Sequence, residues 1–166
     1  MRTSCLVILG SAALAAACAR TQPRLASASD ADVAAVTRML TSFDSCSRTG
    51  ALDVFVSYSL DDAVMLAPDQ PAVEGKEAVR EYYRNFWGTF NVTMRHAPTE
   101  FFSVGDLVVS RGDASGTATP KGGGQPMPFN DKFLMLFRRQ ADGSLKVWRV
   151  AFNTNAPPAP PVAQTR

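Results

Sequence analysis

Histidine and cysteine are scarce in this sequence. His96 is the single histidine, and the cysteines are Cys5, Cys18 and Cys46. One histidine and an isolated cysteine do not make a zinc-type ligand set, so no metal site is expected, and no cofactor is assigned. Excess charge of either sign is also missing: 17 Lys and Arg stand against 15 Asp and Glu, a net +2. The basic residues are scattered, with only Arg138 and Arg139 adjacent. That excludes the electrostatic footprint of a nucleic-acid partner. No Ser-His-Asp arrangement is recognisable. Gly122-Gly123-Gly124 lacks the GxxxxGK[ST] spacing of a phosphate cradle and reads as a hairpin loop.

The N-terminus carries a sharper local signal. Met1 to Ser4 is a short basic segment, and Cys5 to Ala17 is an apolar run of signal-peptide length, too short for a comfortable transmembrane helix. Leu14-Ala15-Ala16-Ala17-Cys18 then resembles the lipobox of bacterial lipoproteins. The resemblance implies removal of residues 1–17 and lipid on Cys18. It also implies export to the cell envelope and anchoring on the periplasmic face of the outer membrane, since no acidic residue follows Cys18. A plain secretory peptide cut in the Ala-rich stretch is the alternative. Loss of Arg2 with the leader brings the mature charge near neutrality. Cys46 is then the one free thiol, with no partner for an intramolecular disulfide, and reads as a small apolar residue on a helix.

Residues 18–29 read as the lipidated cysteine and a flexible tether, 30–156 as one folded domain, and 157–166 as a Pro-rich extended tail. The domain is expected to begin with a helix near Asp30, capped by Ser29 or Asp30, with Val33, Val36, Leu40 and Phe43 on one face and an end by Gly50. A short helix follows, with Leu52, Phe55 and Val56 inward and Asp61-Asp62 closing it. Ala63 to Ala67 reads as an apolar strand. Gly75 precedes a third helix whose Val79, Tyr82, Tyr83 and Phe86 recur at helical spacing. Four long strands come next, Asn91–Val104, Leu107–Thr119, Met127–Gln140 and Ser144–Asn155, joined in part by turns at Gly105 and Asp142-Gly143. Phe133-Leu134-Met135-Leu136-Phe137 is apolar at every position, so both faces of that strand need cover. Helices cover one. A second copy of the chain is expected on the other, with a loop or the C-terminal tail as the alternative.

This order resembles the cone-shaped α+β fold of the nuclear transport factor 2-like (NTF2-like) superfamily, and within it the SnoaL-like and DUF4440 group. Three stretches carry the resemblance: YSLDDAVMLAPDQPAVEGKEAVREYY, GDLVVSRGDASGT and DKFLMLFRRQADGSLKVWRVAFNTN. The fold it implies packs three N-terminal helices on a strongly curved, mainly antiparallel sheet. It also implies a cavity lined by Phe43, Tyr58, Met65, Tyr83, Trp87, Phe133, Trp148 and Phe152 for a small apolar molecule. Ketosteroid isomerase, of the same superfamily, needs a carboxylate base just past the first strand, yet Ala67 stands there. Phe43 replaces the family's helix tyrosine, and Val150 an aspartate common on the last strand. No catalytic residue is therefore assigned. His96 reads as solvent-facing or structural, and Arg111, Asp113 and Asp131 form a weak epoxide-hydrolase-like trio. The expectation is a lipid-anchored protein that binds a small apolar ligand or acts as a dimeric interaction module. The alternative is an isomerase, cyclase or epoxide hydrolase acting on an apolar polycyclic or terpenoid-like substrate.

Overall fold

The computed structural model describes residues 25–157. The leader, the lipid site at Cys18 and the tail beyond Pro157 lie outside the described residues. A short strand and a long helix open the described chain: β1 (Ala26–Ser27), then α1 (Asp30–Thr49). Ser29 caps α1, its hydroxyl accepting from the Asp32 backbone N–H at 3.2 Å. Asp32 in turn accepts from the Ser29 hydroxyl at 2.8 Å and from the Arg139 guanidinium at 2.7 Å. The helix ends at Gly50, which adopts φ 69° and donates its N–H to the Cys46 carbonyl. A left-handed residue there favours glycine. Val36, Met39, Leu40, Phe43 and Cys46 are buried along one stripe of α1, so Cys46 serves as a core side chain.

The chain continues through α2 (Leu52–Ser57), β2 (Ser59–Leu66), β3 (Val73–Glu74), α3 (Lys76–Thr89), β4 (Phe90–Val104), β5 (Leu107–Pro120), β6 (Met127–Arg139) and β7 (Leu145–Thr154). The seven strands form one sheet in the order β1-β4-β5-β6-β7-β2-β3. All pairs are antiparallel except β2 with β7. The helices pack against one face, and the main core lies between α1, α2 and the inner faces of β4 to β7.

Two boundaries differ from expectation. Ser59 to Asp62 belongs to β2 and not to the end of a helix: the Val147 N–H donates to the Tyr58 carbonyl at 2.8 Å, and pairing with β7 begins at Ser59. A long-range partner outweighs the local helical pattern. Ala26 and Ser27, assigned to the tether, pair with Ser103 and Phe102 and so extend the sheet's edge. The outer side of β6 is only partly covered within the chain: Leu134 is 42% exposed and Leu136 is half-buried.

Small residues let β4 and β5 approach closely. A Cβ at Gly116 would lie 1.9 Å from the Thr93 carbonyl oxygen, and one at Gly112 would lie 2.3 Å from that of Ala97. Larger side chains there would push the strands apart.

The Asp32 carboxylate has a calculable pH signature. Burial opposes its ionisation, but the hydrogen bonds from Arg139 and Ser29 outweigh that and hold its pKa below the ordinary carboxylate value. A folded-state pKa below the unfolded one adds stability above the unfolded pKa and loses it as pH falls through the folded one. Asp32→Ala is expected to cost about 1–3 kcal/mol in urea unfolding at neutral pH. The gap from wild type should narrow in acid; a gap independent of pH would refute this role.

Candidate active site

The inner face of the sheet and the helices enclose a cavity of about 350 Å³. Its walls come from alternate residues of each strand, because inward side chains recur every second position. On β4 these are Val92, Met94 and His96; on β5, Ala114 and Ala118; on β6, Met127, Phe129, Asp131 and Met135; on β7, Val147, Val150 and Phe152. Phe43 of α1, Phe55 of α2 and Met65 of β2 contribute, as do Val79, Tyr82, Tyr83, Phe86 and Trp87 of α3. The wall is largely apolar and aromatic, which suits a small apolar guest.

An imidazole and a carboxyl group interrupt that wall. The first is His96, whose side chain is 5% exposed. Its Nδ1 lies 2.7 Å from an Asp44 carboxylate oxygen, and its backbone N–H reaches both Asp44 oxygens at 3.2 Å. Asp44, on α1, is itself 15% exposed. An ionised carboxylate only accepts, so the hydrogen of a neutral imidazole sits on Nδ1 and Nε2 keeps its lone pair. Phe43 and Phe133 meet the ring edgewise at centroid distances of 6.3 and 5.4 Å and fix its plane. A histidine held this way is not solvent-facing; of the two expected readings the structure leaves the structural one, with the ring tied to Asp44.

The second group is Asp131, on β6. Burial pushes its carboxyl above the ordinary carboxylate value, and the Lys132 ammonium offsets only part of that rise. The expected trio with Arg111 and Asp113 does not form. Asp131 pairs with Ala114, whereas Asp113 pairs with Lys132, so Asp113 and Asp131 point to opposite faces. Asp113 accepts from the Asn155 side-chain amide at 3.1 Å, and Arg111 pairs with Glu100, all on the outer face. Tyr83 presents a phenol to the cavity; burial raises its pKa, so it stays neutral.

Of the expected wall residues, Phe43, Met65, Tyr83, Trp87 and Phe152 stand in the wall. Three do not. Tyr58 packs behind Phe43, with ring centroids 5.5 Å apart and its hydroxyl 3.3 Å from that of Ser42. Phe133 is buried beside His96 in the core. Trp148 faces outward between the Arg138 and Arg149 guanidiniums, 4.1 and 4.2 Å from its ring centre, and donates to Asp62 at 3.1 Å. A bulge causes this: Leu136 pairs with Arg149 and Phe137 with Val147, so the alternation shifts at Trp148. Ala67, at the position where a base was sought, is buried and apolar. Asp44 went unread, although it follows Leu40 by four positions at the edge of the apolar stripe. A carboxylate on a buried helix face was the available signal.

Comparison with known proteins agrees with this architecture. The family model described as a SnoaL-like domain matches residues 33–150. No curated protein matches the sequence. Among solved structures, a ketosteroid isomerase-like protein from Erwinia carotovora atroseptica superposes with a TM-score of 0.70 at 23% identity, over 78% of this chain and 100% of that one. An NTF2-like protein with a cystatin-like fold from Novosphingobium aromaticivorans gives 0.64 at 12% identity, over 78% and 85%. A type 2 hexachlorocyclohexane dehydrochlorinase gives 0.65 at 19% identity, over 76% and 86%. At these identities the likeness is one of fold.

Proposed function

This chain belongs to the SnoaL-like domain family, and from that footing we propose that its domain is an enzyme that removes a proton from carbon in a small, mostly apolar molecule. His96 is the base. The observation that carries this reading is the free Nε2 of His96 in the cavity wall with Asp44 behind its other nitrogen. Asp44 holds the ring in the tautomer that presents a lone pair and stabilises the imidazolium once the proton arrives. The apolar walls exclude water, which strengthens the charge interaction between the two groups. A dehydrochlorinase, by its name, also breaks a C–H bond, so a neighbour of the same fold offers a parallel. Binding without chemistry is the second reading, favoured only by the apolar residue at Ala67.

A positioned base of this kind contributes roughly 10²–10⁴-fold to rate. With an apolar aldol as probe, His96→Gln should lower turnover by about that range, and Asp44→Asn should lower kcat more than it raises KM. Unchanged turnover in His96→Gln would leave a binding protein.

We further propose that the outer sheet face pairs with a second copy. Phe102, Val109 and Leu136 form one apolar row across β4, β5 and β6 through direct register. Leu134 and Ala151 lie beside it, and Glu100, Arg111 and Arg149 rim it with both signs of charge. A rim of mixed sign on an apolar strip suits self-association. Leu136→Glu is expected to yield monomers in sedimentation; a wild type that is already monomeric would end this proposal. The lipid anchor is proposed on the lipobox resemblance at Cys18. Cys18→Ser should then release the protein from membranes, and a variant that still sediments with them would refute the anchor.

A further inference from the structure

We infer that the molecule this cavity takes carries a cationic nitrogen at one end of its apolar body, seated at the Asp131 carboxylate. The ligand class is then an apolar amine or quaternary ammonium compound. The inference rests on the reading of the cavity as a site for a small, mostly apolar molecule, and it names that molecule's polar end.

The charge around the cavity has one sign. Among the described residues, the lining contains no lysine and no arginine. Asp131 stands in the wall itself, and Asp44 lies behind the His96 ring. The cations next to wall residues in sequence are Arg95, Lys132 and Arg149. Side chains alternate along a strand, so these three take the outer face while His96, Asp131 and Val150 face inward. Lys132 donates instead to the Thr154 carbonyl at 3.3 Å. Among the described residues no donor is hydrogen-bonded to the Asp131 carboxylate, and burial raises its pKa. An anionic guest would meet like charge here with no countercharge in the wall. A neutral apolar guest would strip water from the carboxylate and leave it unpaired, which is costly. A cation supplies the missing partner.

The surrounding rings fit the same guest. Phe129 precedes Asp131 by two positions on β6 and shares its face. Asp131 pairs with Thr154, so Phe152 stands diagonally beside it on β7. Helix α3 closes the space from above with Tyr82 and Phe86. The negative face of an aromatic ring attracts a cation, and more strongly where water is excluded. A carboxylate among such rings matches a nitrogen whose charge sits inside a hydrocarbon shell. The floor sets the length of the guest. His96 pairs with Ala114, and Ala114 pairs with Asp131. Two strand spacings separate the outer two backbones, about 10 Å. The apolar body extends from Asp131 over the Ala114 methyl group toward His96. The guest's charge and the carbon that His96 addresses are thus at opposite ends.

The test is binding without turnover, by titration calorimetry on the full chain at neutral pH. Three probes share one phenylalkyl body and differ only in end charge: phenylbutylamine, phenylbutanol and phenylbutyrate. The amine is expected to bind roughly 10–100-fold more tightly than the alcohol, and phenylbutyrate more weakly than either. Asp131→Asn should erase the amine's advantage and leave the alcohol within a few-fold of wild type. Lys132→Gln, on the outer face, should leave the amine's advantage intact. Equal affinity of amine and alcohol in wild type, or a preference for phenylbutyrate, would overturn the inference. So would an amine advantage that survives Asp131→Asn, or no amine binding at millimolar concentration. The wild-type ranking needs no variant, so the inference remains refutable even if Asp131→Asn does not fold. His96→Gln should keep the amine preference, which separates this test from that of the base. Lost turnover in His96→Gln without an amine preference in wild type leaves the base reading standing and ends this one. Unchanged turnover with a clear amine preference does the reverse.

Discussion

One carboxylate ties the long helix to the sheet at the wall of the cavity. Asp44 receives three hydrogen-bonding contacts from a single residue, the His96 backbone N–H to both oxygens and the ring Nδ1 to one. Hydrogen bonds to a charged group contribute about 1.5–3 kcal/mol each, and a buried charge left without them is costly. The contact therefore constrains how α1 sits across β4, and with it the position of Phe43 between helix and sheet. It also fixes the one imidazole in the sequence in a single tautomer. Structure and chemistry share this bond, so a change at either residue alters both.

The cavity exists because the inner face of β5 is small. Ala114, Gly116 and Ala118 succeed one another at every second position, while β4 and β6 place Met94, His96, Phe129 and Asp131 on either side. Bulk at the rims with little at the floor makes a trough, which α3 roofs with Tyr82, Tyr83, Phe86 and Trp87. The aromatic roof is itself cross-braced: Phe55 contacts both Tyr83 and Trp87, with centroids 4.4 and 5.2 Å apart. Such packing favours a preformed space, and preformed space lowers the ordering cost of binding.

The fold was largely legible in the sequence, because it rests on local rules. Helical spacing in α1 and α3, the Ser29 cap and the turns at Gly105 and Gly143 act over a few residues and locate their elements within a position or two. What depended on long-range pairing was not legible. Ser59 to Asp62 joins a strand only because β7 lies beside it, and Trp148 turns outward only because the β6–β7 register slips by one. The site suffered from the same gap. Asp113 and Asp131 look equivalent in sequence until the register places them on opposite faces. Asp44 could have been suspected from its place on an apolar helix stripe, but its partner lies 52 residues away.

The absence of a carboxylate at Ala67 argues against a base at that position, but not against one elsewhere in the wall. A base needs only to reach the cavity with a free lone pair and a partner for the charge it acquires. Those conditions can be met from any strand that contributes to the wall. Here β4 supplies the imidazole and α1 supplies the countercharge, so the end of β2 is free to be apolar. The same environment logic explains why the pKa of the Asp131 carboxyl on β6 is raised. It faces apolar walls and lacks a cation on its own side of the sheet, since Lys132 points away. One cavity thus holds two titratable groups in contrasting environments, an imidazole anchored to a carboxylate and a carboxyl among apolar walls.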